Sequence, residues 1–576
     1  MDTRILVAIK KYAIRNRHDY GKGNYSSVMN KIISVLPEVK SDMKALNLEV
    51  RLVVDQINAL SDNEFLKLYS QFEGEFDHER KLREDASKVK LELPGASSSG
   101  FATRFPPEPG GYIHIGHAKA AFLENAFREI YNGKLFLHFD DTNPEISKQE
   151  YVDQIKIDLD WLGIKFDKEY YSSDYIEKMY IYAMNMLESK KAYVCMCSNQ
   201  EVKEGRTSMT PCKHRTQDEG KNLELFGRML KGEFDQNYAI VRFMGDMGSN
   251  NTTLRDPTLF RIKYAAHYRK GDKYCVWPTY HFNTAIVDSL NGVSDVIRSK
   301  EYEMGDELYK QVLLSLNMRV PNLHSESRLN IKGNLTSKRK LRELIQDKKI
   351  SGWDDPRLVT IAGLRNRGVQ PKAIENFVLR FGMSKVDSIV DISLLMSENK
   401  KIIDGLSKRL YFVNDPVKVI IEGVIEREIE LPMHPTDHNI GSRKVRVGNN
   451  VYISIDDAIG LKKMDVINLK GYCSIQITSI VLEDKTIHAQ LLDKQVAAIK
   501  IQWVSEIEKI STHVDMVSEL VDQEEHFLSN SITRINGYAE KRITELLDNE
   551  IVQFERFGFC STHLNANKQH FIFISK

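Results

Sequence analysis

The chain has 576 residues, 42% hydrophobic and 28% charged, the balance of a soluble globular protein long enough for about three or four domains. Lys plus Arg number 81 against 80 Asp plus Glu, so no global basic field marks a nucleic-acid binder, and any RNA contact has to come from local patches. Six cysteines are too few for a disulfide scaffold, no apolar run approaches the ~18 residues of a membrane span, and Lys10-Lys11 comes too early for a signal peptide, so a cytoplasmic protein is expected.

Residues 1–95 read as helical. Ile5, Ile9, Tyr12 and Ala13 mark one apolar stripe, and Val28, Ile32, Ile33 and Leu36 a second. The charged stretch 66–91 predicts a long surface helix. Gly21-Lys22-Gly23 is a loop, too weak a motif for a phosphate site, and 95–100 is a Ser-rich connector. From residue 101 the rhythm changes to strand (101–105), Gly/Pro turn, helix (118–131) and strand (134–139) ending at Asp140-Asp141. That is a βαβ unit, whose ligands gather at the carboxyl ends of its strands.

A further helix is expected over 150–162. Residues 190–275 break the α/β rhythm, as an inserted subdomain does. Strand-like segments resume over 274–277 and 286–298, and 342–395 is helical again. From about 408 short alternating runs dominate (417–421, 444–447, 451–455, 473–480), separated by turns at Glu422-Gly423 and Gly448–Asn450. They predict an all-β, barrel-like module.

Four constellations carry chemistry. In the βαβ turn, the segment T-R-F-P-P-E-P-G-G-Y-I-H-I-G-H-A-K-A spans 103–120. His114 and His117 share a face at the helix start, where unpaired N–H groups and partial positive charge suit phosphate, and Gly116 removes a side chain where a flat base approaches. Two such histidines can also simply cap and pack, but the density of special residues before them favours a nucleotide. Neither the P-loop nor the dinucleotide fingerprint occurs.

The second is Leu335-Thr-Ser-Lys-Arg-Lys340 after a Gly333-Asn334 turn. Lysines on such a loop neutralise charge on leaving phosphates, although a solvated basic helix start has the same composition. The third is Trp277-Pro-Thr-Tyr-His-Phe282, leading through Asp288 to Arg298. An arginine fork grips a carboxylate with two teeth, or on a surface pairs with Asp295 or Glu301. The fourth is Cys195-Met-Cys197 with Cys212-Lys-His214, two pairs separated by fourteen residues, a donor set for a closed tetrahedral zinc site. Cys275, Cys473 and Cys560 are scattered and expected in cores. Arg365 and Arg367 reach RNA phosphate, or else cap the helix ending before Gly368.

Together these motifs resemble class I aminoacyl-tRNA synthetases of the glutamyl/glutaminyl subfamily, in the archaeal and eukaryotic glutamyl branch. The resemblance runs through the whole chain and is strongest over 101–145 and 337–380. Residues 103–120 are similar to the first signature of the class, and Ser337-Lys338-Arg339 to the second, the mobile lysine loop, with Thr336 where Met, Leu or Val is usual.

The resemblance implies a multidomain chain. Residues 1–95 would be an N-terminal helical domain, with the α/β Rossmann-like catalytic core in two halves, 96–189 and 276–340. An inserted acceptor-binding subdomain would occupy 190–275, a helical connector 341–405, and a C-terminal β-barrel anticodon-binding domain 406–576. It implies activation of L-glutamate with ATP to glutamyl-adenylate, then transfer to the terminal adenosine of tRNA-Glu. His114, His117 and Lys338 would be catalytic, and Pro107, Glu108, Pro109, Gly111, Ile115, Gly116, Ser337 and Arg339 would line the ATP site. Arg104, Asp140, Tyr280 and Arg298 would hold glutamate, with Asp140 on its α-amino group.

Arg298 selects glutamate over glutamine, since glutaminyl-type enzymes are typically uncharged there. The implied cofactors are ATP and Mg2+, with a structural Zn2+ on Cys195, Cys197, Cys212 and His214. No membrane partner is implied. A monomer is the default, and whether tRNA-Gln is also charged stays open. The glutaminyl alternative is disfavoured by Arg298, and a non-catalytic RNA-binding scaffold by the presence of His114, His117 and Lys338.

Overall fold

The structure, a computed structural model, describes residues 3–36, 39, 43–76, 91–481, 483–494, 496, 499–565 and 568–576. The chain divides into two compact units, Met1–Lys90 and Leu91–Lys576. Among the described residues no helix is long and apolar enough to cross a membrane.

The first unit is helical, with helices Thr3–Tyr20, Tyr25–Val35, Met43–Ala59 and Asp62–Ser70. Its core holds Ile9, Ala13, Val28 and Ile32, on the faces that the apolar stripes marked, together with Val50 and Val54 of the third helix. The 21–24 loop is tied inside the unit, with Gly23 N donating to Asn58 Oδ1 at 2.7 Å and Asn24 capping the next helix. The long helix predicted from 66 stops at Ser70. Helix resumes over 73–76, and 77–90 lies outside the described residues.

The second unit opens with the βαβ unit. Strand β1 (Ala102–Phe105), helix α1 (Ile115–Ile130), strand β2 (Lys134–Phe139), helix α2 (Gln149–Trp161) and strand β3 (Lys168–Tyr171) follow in order. The three strands are parallel, with Arg104 opposite Phe136 and Phe136 opposite Lys168. After helix α3 (Ile176–Glu188), strands β4 (Ala192–Cys195), β5 (Ile240–Phe243), β6 (Thr258–Ile262) and β7 (Val276–Pro278) form an antiparallel sheet of their own, the break in rhythm expected of an insert.

Helix α4 (Tyr280–Leu290) and strand β8 (Asp295–Ser299) return to the core, and helix α5 (Asp306–Ser315) leads to β9 (Asn322–Glu326), parallel to β8. Ser294 N donates to Ala102 O at 2.8 Å, seating β8 beside β1. The strands therefore run β3-β2-β1-β8-β9 in space. The reversal between β1 and β8 is where such sheets open a crevice for ligand.

The strand expected over 286–298 is corrected: its first half is helix α4. Phe282 through Asp288 are all buried, so the helix has no polar face and its sequence loses the helical period. Residues 342–395 are not wholly helical either. After β10 (Leu329–Ile331) and helix α6 (Lys338–Gln346), helices Ile361–Asn366, Pro371–Leu379 and Ile392–Ile403 are interrupted by strand Ser388–Val390, which pairs with β10.

Beyond residue 407 the chain is almost all strand, in two seven-stranded sheets and a two-stranded one, the barrel-like region that the alternation predicted. Lys408–Leu410 and Phe412–Asn414 join the strands of 509–575, and the strands between 417 and 505 make the other sheet, apart from Arg427–Pro432 and Ser442–Val447, which pair with each other. The chain thus starts in the sheet that packs on residues 333–403, builds the outer one and returns. Val417–Glu422, Ser442–Val447, Asn450–Ile453 and Cys473–Val481 are the strands expected from the alternation. Cys473 and Cys560 are buried and Cys275 half-buried.

Candidate active site

The turn between β1 and α1 is fixed at both ends. Ile115 N donates to Val359 O and Ile361 N to Ile113 O, both at 2.9 Å, clamping the turn to the connector. At the other end Asp140 N donates to Pro107 O at 3.2 Å, and Lys148 N to Pro109 O at 3.1 Å. The prolines have no N–H to offer, and their carbonyls instead tie the turn to the end of β2 and the start of α2.

His114 caps helix α1. Its Nδ1 accepts from Gly116 N at 3.1 Å, while His117 Nδ1 accepts from His114 N at 3.2 Å. Each ring therefore carries its proton on Nε2 when neutral. Burial, followed by the charge of Lys338, pushes His114 down to about 3, and burial followed by His114 holds His117 well below the ordinary imidazole range. The pair are neutral donors with ring centroids 3.9 Å apart. Gly116 is constrained by this cap: a Cβ there would lie 2.9 Å from His114 Cε1.

Lys338 begins α6 and reaches back to the same turn, donating to Glu108 O at 2.7 Å. Burial pushes its ammonium down to about 8 against the pull of Glu108. A Cβ on Gly111 would meet the Trp353 ring at 2.8 Å and Lys338 Cδ at 3.3 Å, so only glycine lets these two close over the turn. Trp353 also stacks on Tyr112 at 5.7 Å. Ser337 is the exposed residue before α6, Arg339 is exposed beside Glu343, and Ile115 belongs to the core; Ile115 thus packs the helix that carries the histidines.

The residues expected to hold glutamate converge behind this turn. The Tyr280 hydroxyl, pushed up to about 12 chiefly by burial, feels the charges of Arg298, Arg104 and Asp140. Arg104 is wholly buried on β1, with Nε donating to Asp288 Oδ1 at 2.9 Å and Nη1 to Ile297 O at 3.2 Å. Burial opposes its charge, but Asp288 and then Glu124 outweigh burial and its pKa is raised. Its Nη2 is buried without a partner.

Asp140 accepts from Asn283 Nδ2 at 2.8 Å and Thr142 Oγ1 at 2.9 Å. Burial, reinforced by Glu108, pushes it up to about 7. Asp141 points the other way, accepting from Ser173 N and Oγ at 2.8 Å, and is structural. Arg298 is 5% exposed and paired with Asp306. Neither partner expected for a surface arginine holds it: Asp295 bonds His324 and Asn322, and Glu301 pairs with Arg328.

Sequence reasoning missed Asn283, Tyr302 and Asp306. Asn283 lies three residues after Tyr280 on α4, so the helical repeat could have placed the two on one face. Tyr302 packs on Tyr280 with centroids 4.4 Å apart, and no spacing signals it.

In the insert, Cys195 ends β4, Cys197 follows, and Cys212 and His214 come from the short turn at Lys213–Thr216. Their ligand atoms all lie within 4.8 Å of one another. Cys195 Sγ to Cys212 Sγ is 3.7 Å and Cys197 Sγ to His214 Nδ1 is 3.4 Å. The edges of a tetrahedron around zinc are about 3.5–3.8 Å, so the donor set fits Zn2+. The hydrogen bond between the Cys195 and Cys212 sulfurs holds the Cys212 thiol below its ordinary range. Behind the cluster Tyr193 donates to Asp256 at 2.8 Å, and Arg215 pairs with the same carboxylate.

Of the connector arginines, Arg365 is held by buried Asp158 at 3.4 Å over the Trp161 ring. Burial alone pushes Arg367 down to about 10, and no carboxylate pairs with it among the described residues.

A model of the catalytic domain of class I tRNA synthetases (E and Q) matches residues 101–404, and two models of their anti-codon binding domains match 407–493 and 500–563. The glutamate–tRNA ligase of Nitrosopumilus maritimus is 37% identical over 97% of this chain and 98% of its own. That of Cenarchaeum symbiosum is 36% identical over 96% of each, and that of Pyrococcus furiosus 35% identical over 95% of this chain and 96% of its own. A chain matched at this level from end to end, with its matched catalytic domain built around such a turn, belongs to the class I tRNA synthetases of the glutamyl and glutaminyl (E and Q) family.

Proposed function

We propose that this chain is a glutamate–tRNA ligase: it activates L-glutamate with ATP to glutamyl-adenylate and pyrophosphate, then transfers the glutamyl group to the 3′-terminal adenosine of tRNA-Glu. The observation that carries the reading is that Lys338 is hydrogen-bonded into the turn bearing His114 and His117, beside a pocket with two buried arginines.

In the first step the glutamate carboxylate attacks the α-phosphate. His114 and His117 each offer an Nε2–H, and neutral donors aimed where charge develops stabilise the transition state. Lys338 supplies the cation for the leaving pyrophosphate. Asp140, in its ionised form and oriented by Asn283 and Thr142, takes the substrate ammonium. Arg298 takes the γ-carboxylate, with Tyr280 and Arg104 closing the pocket. No covalent enzyme intermediate is needed, because positioning and electrostatics supply the rate.

Pro107, Glu108, Pro109 and Gly111 shape the wall of the ATP site, with Gly116, Ser337 and Arg339 at its edges. Mg2+ bound to the nucleotide would offset phosphate charge. Cys195, Cys197, Cys212 and His214 would hold Zn2+, a structural cross-link for the insert. In the proposed layout 96–189 and 276–340 form the catalytic core and 190–275 meets the tRNA acceptor end. Residues 341–405 connect the core to an anticodon-reading region at 406–576, behind an N-terminal helical domain at 1–95. A cytoplasmic location and a monomer fit this work.

The test is aminoacylation of separate tRNA-Glu and tRNA-Gln transcripts with labelled glutamate and glutamine. Glutamate on tRNA-Glu alone means a discriminating enzyme, and glutamate on both means an indirect route to Gln-tRNA. Glutamine on tRNA-Gln overturns the role given to Arg298.

A further inference from the structure

Arg298 enters the pocket at the end of β8 with a fixed outlook. Its guanidinium carbon lies 5.2 Å from the centroid of the Tyr309 ring, and the Tyr309 hydroxyl is pinned to Asp288 Oδ2 at 3.0 Å. Nη2 is paired with Asp306, while Nε, on the same edge of the fork, is buried without a partner. One tooth of a two-toothed edge is filled. The two partners differ in access to water: the Asp306 side chain is 24% exposed and that of Arg298 3%.

The backbone around Asp306 is anchored. Met304 O accepts from Asn251 Nδ2 at 2.8 Å and Thr253 Oγ1 at 2.7 Å, and a Cβ on Gly305 would lie 2.7 Å from the His281 ring. The Asp306 side chain, by contrast, has access to water. It stands in the first turn of α5, where the helix dipole favours a carboxylate even after it turns to water.

We infer that Asp306 is a placeholder carboxylate: in the free protein it occupies the guanidinium edge that the substrate's γ-carboxylate takes, and it turns to solvent when that substrate arrives. This rests on the assignment of Arg298 to the γ-carboxylate. A buried arginine without an anion is strongly unfavourable, so Arg298 needs a counter-charge before the substrate arrives, and Asp306 is the one beside it. Glutamate exchanges one carboxylate for another and keeps the arginine paired. Glutamine brings a neutral amide with one acceptor oxygen, cannot replace the charge it evicts, and leaves Asp306 in place. Rejection by a built-in competitor adds to recognition by contact.

The experiment compares wild type with Asp306→Asn, Asp306→Glu and Arg298→Ala in steady-state aminoacylation, with glutamine as a competitive inhibitor. In Asp306→Asn the KM for glutamate is expected to fall at least fivefold with kcat within twofold. The inhibition constant of glutamine should fall as well, since neither ligand then has to evict a carboxylate. Asp306→Glu keeps the competitor, so its KM should stay level or rise. An unchanged or raised glutamate KM in Asp306→Asn, or a lowered one in Asp306→Glu, overturns the inference and leaves Asp306 as a strut for Arg298.

If Asp306→Asn folds poorly, the shift in Tm produced by saturating glutamate is read instead. A larger shift than in wild type supports the placeholder, and an equal or smaller one overturns it. Arg298→Ala separates the two levels: retained preference for glutamate over glutamine in that variant refutes the role of Arg298 itself.

Discussion

Asp288→Asn tests the buried network that holds Arg104. Asp288 is fully buried and bonds both Arg104 Nε and Tyr309 Oη, with His138 Nδ1 3.9 Å away. The amide keeps the shape and one acceptor oxygen but loses the charge facing a guanidinium with no exposed surface. Removing one partner of a buried pair costs about 3–5 kcal/mol, and the retained neutral hydrogen bond offsets ~1 kcal/mol of that, for a net loss of about 2–4 kcal/mol.

Glu124 lies 4.0 Å from Arg104. Burial raises its pKa well above the carboxylate range, and its two oxygens have no hydrogen-bond partner. It is the second carboxyl group facing Arg104 and can compensate in part when Asp288 is lost. Glu124→Gln alone should then cost little, and the double variant should lose more than the sum. The assay is urea unfolding followed by tryptophan fluorescence, since Trp277 is fully buried in the same unit, together with the KM for glutamate, which should rise at least tenfold. A loss under ~1 kcal/mol in Asp288→Asn, with Glu124 intact and additive, refutes the reasoning, because a buried pair cannot be broken that cheaply.

The pH profile follows from two shifted groups. Asp140 has to be ionised to bind an ammonium and is pushed up to about 7, so kcat/KM for glutamate should fall as pH drops through that value. Lys338 has to be protonated and is pushed down to about 8, so kcat/KM for ATP should fall as pH rises through it; an acid limb near pH 4 would refute the first assignment. Lys338→Gln should lower the rate of ATP–pyrophosphate exchange about 10²–10³-fold, the usual loss of one transition-state donor, while tRNA affinity measured by filter binding stays level. Purified protein should carry close to one equivalent of zinc by elemental analysis. Chelation should release it and expose 190–275 to proteolysis, and full activity at well under one equivalent would remove the site.

Much of this was legible in the chain because local chemistry decides it. The turn over 104–117 announces itself: prolines, glycines and paired histidines there have few structural uses, and the structure uses them as carbonyl ties, close approaches and reciprocal caps. The cysteine pairs were readable from spacing alone, and the C-terminal strands from their alternation. The helix Tyr280–Leu290 was not, because burial on every side removes the periodicity from which a helix is read.

What the sequence by itself determined was the set of reactive residues and the βαβ frame around them, since side-chain type and short-range period survive in one dimension. What only the tertiary structure decided was how those residues are paired. Asp288 lies 184 residues from Arg104 and Lys338 lies 230 from Glu108. Asp306, eight residues past Arg298, reaches it only because β8 and α5 turn the chain back on itself. Whether a charge is free, neutralised or held in wait depends on what folds beside it, because in a buried site the solvent that would otherwise set its state has been replaced by distant parts of the chain.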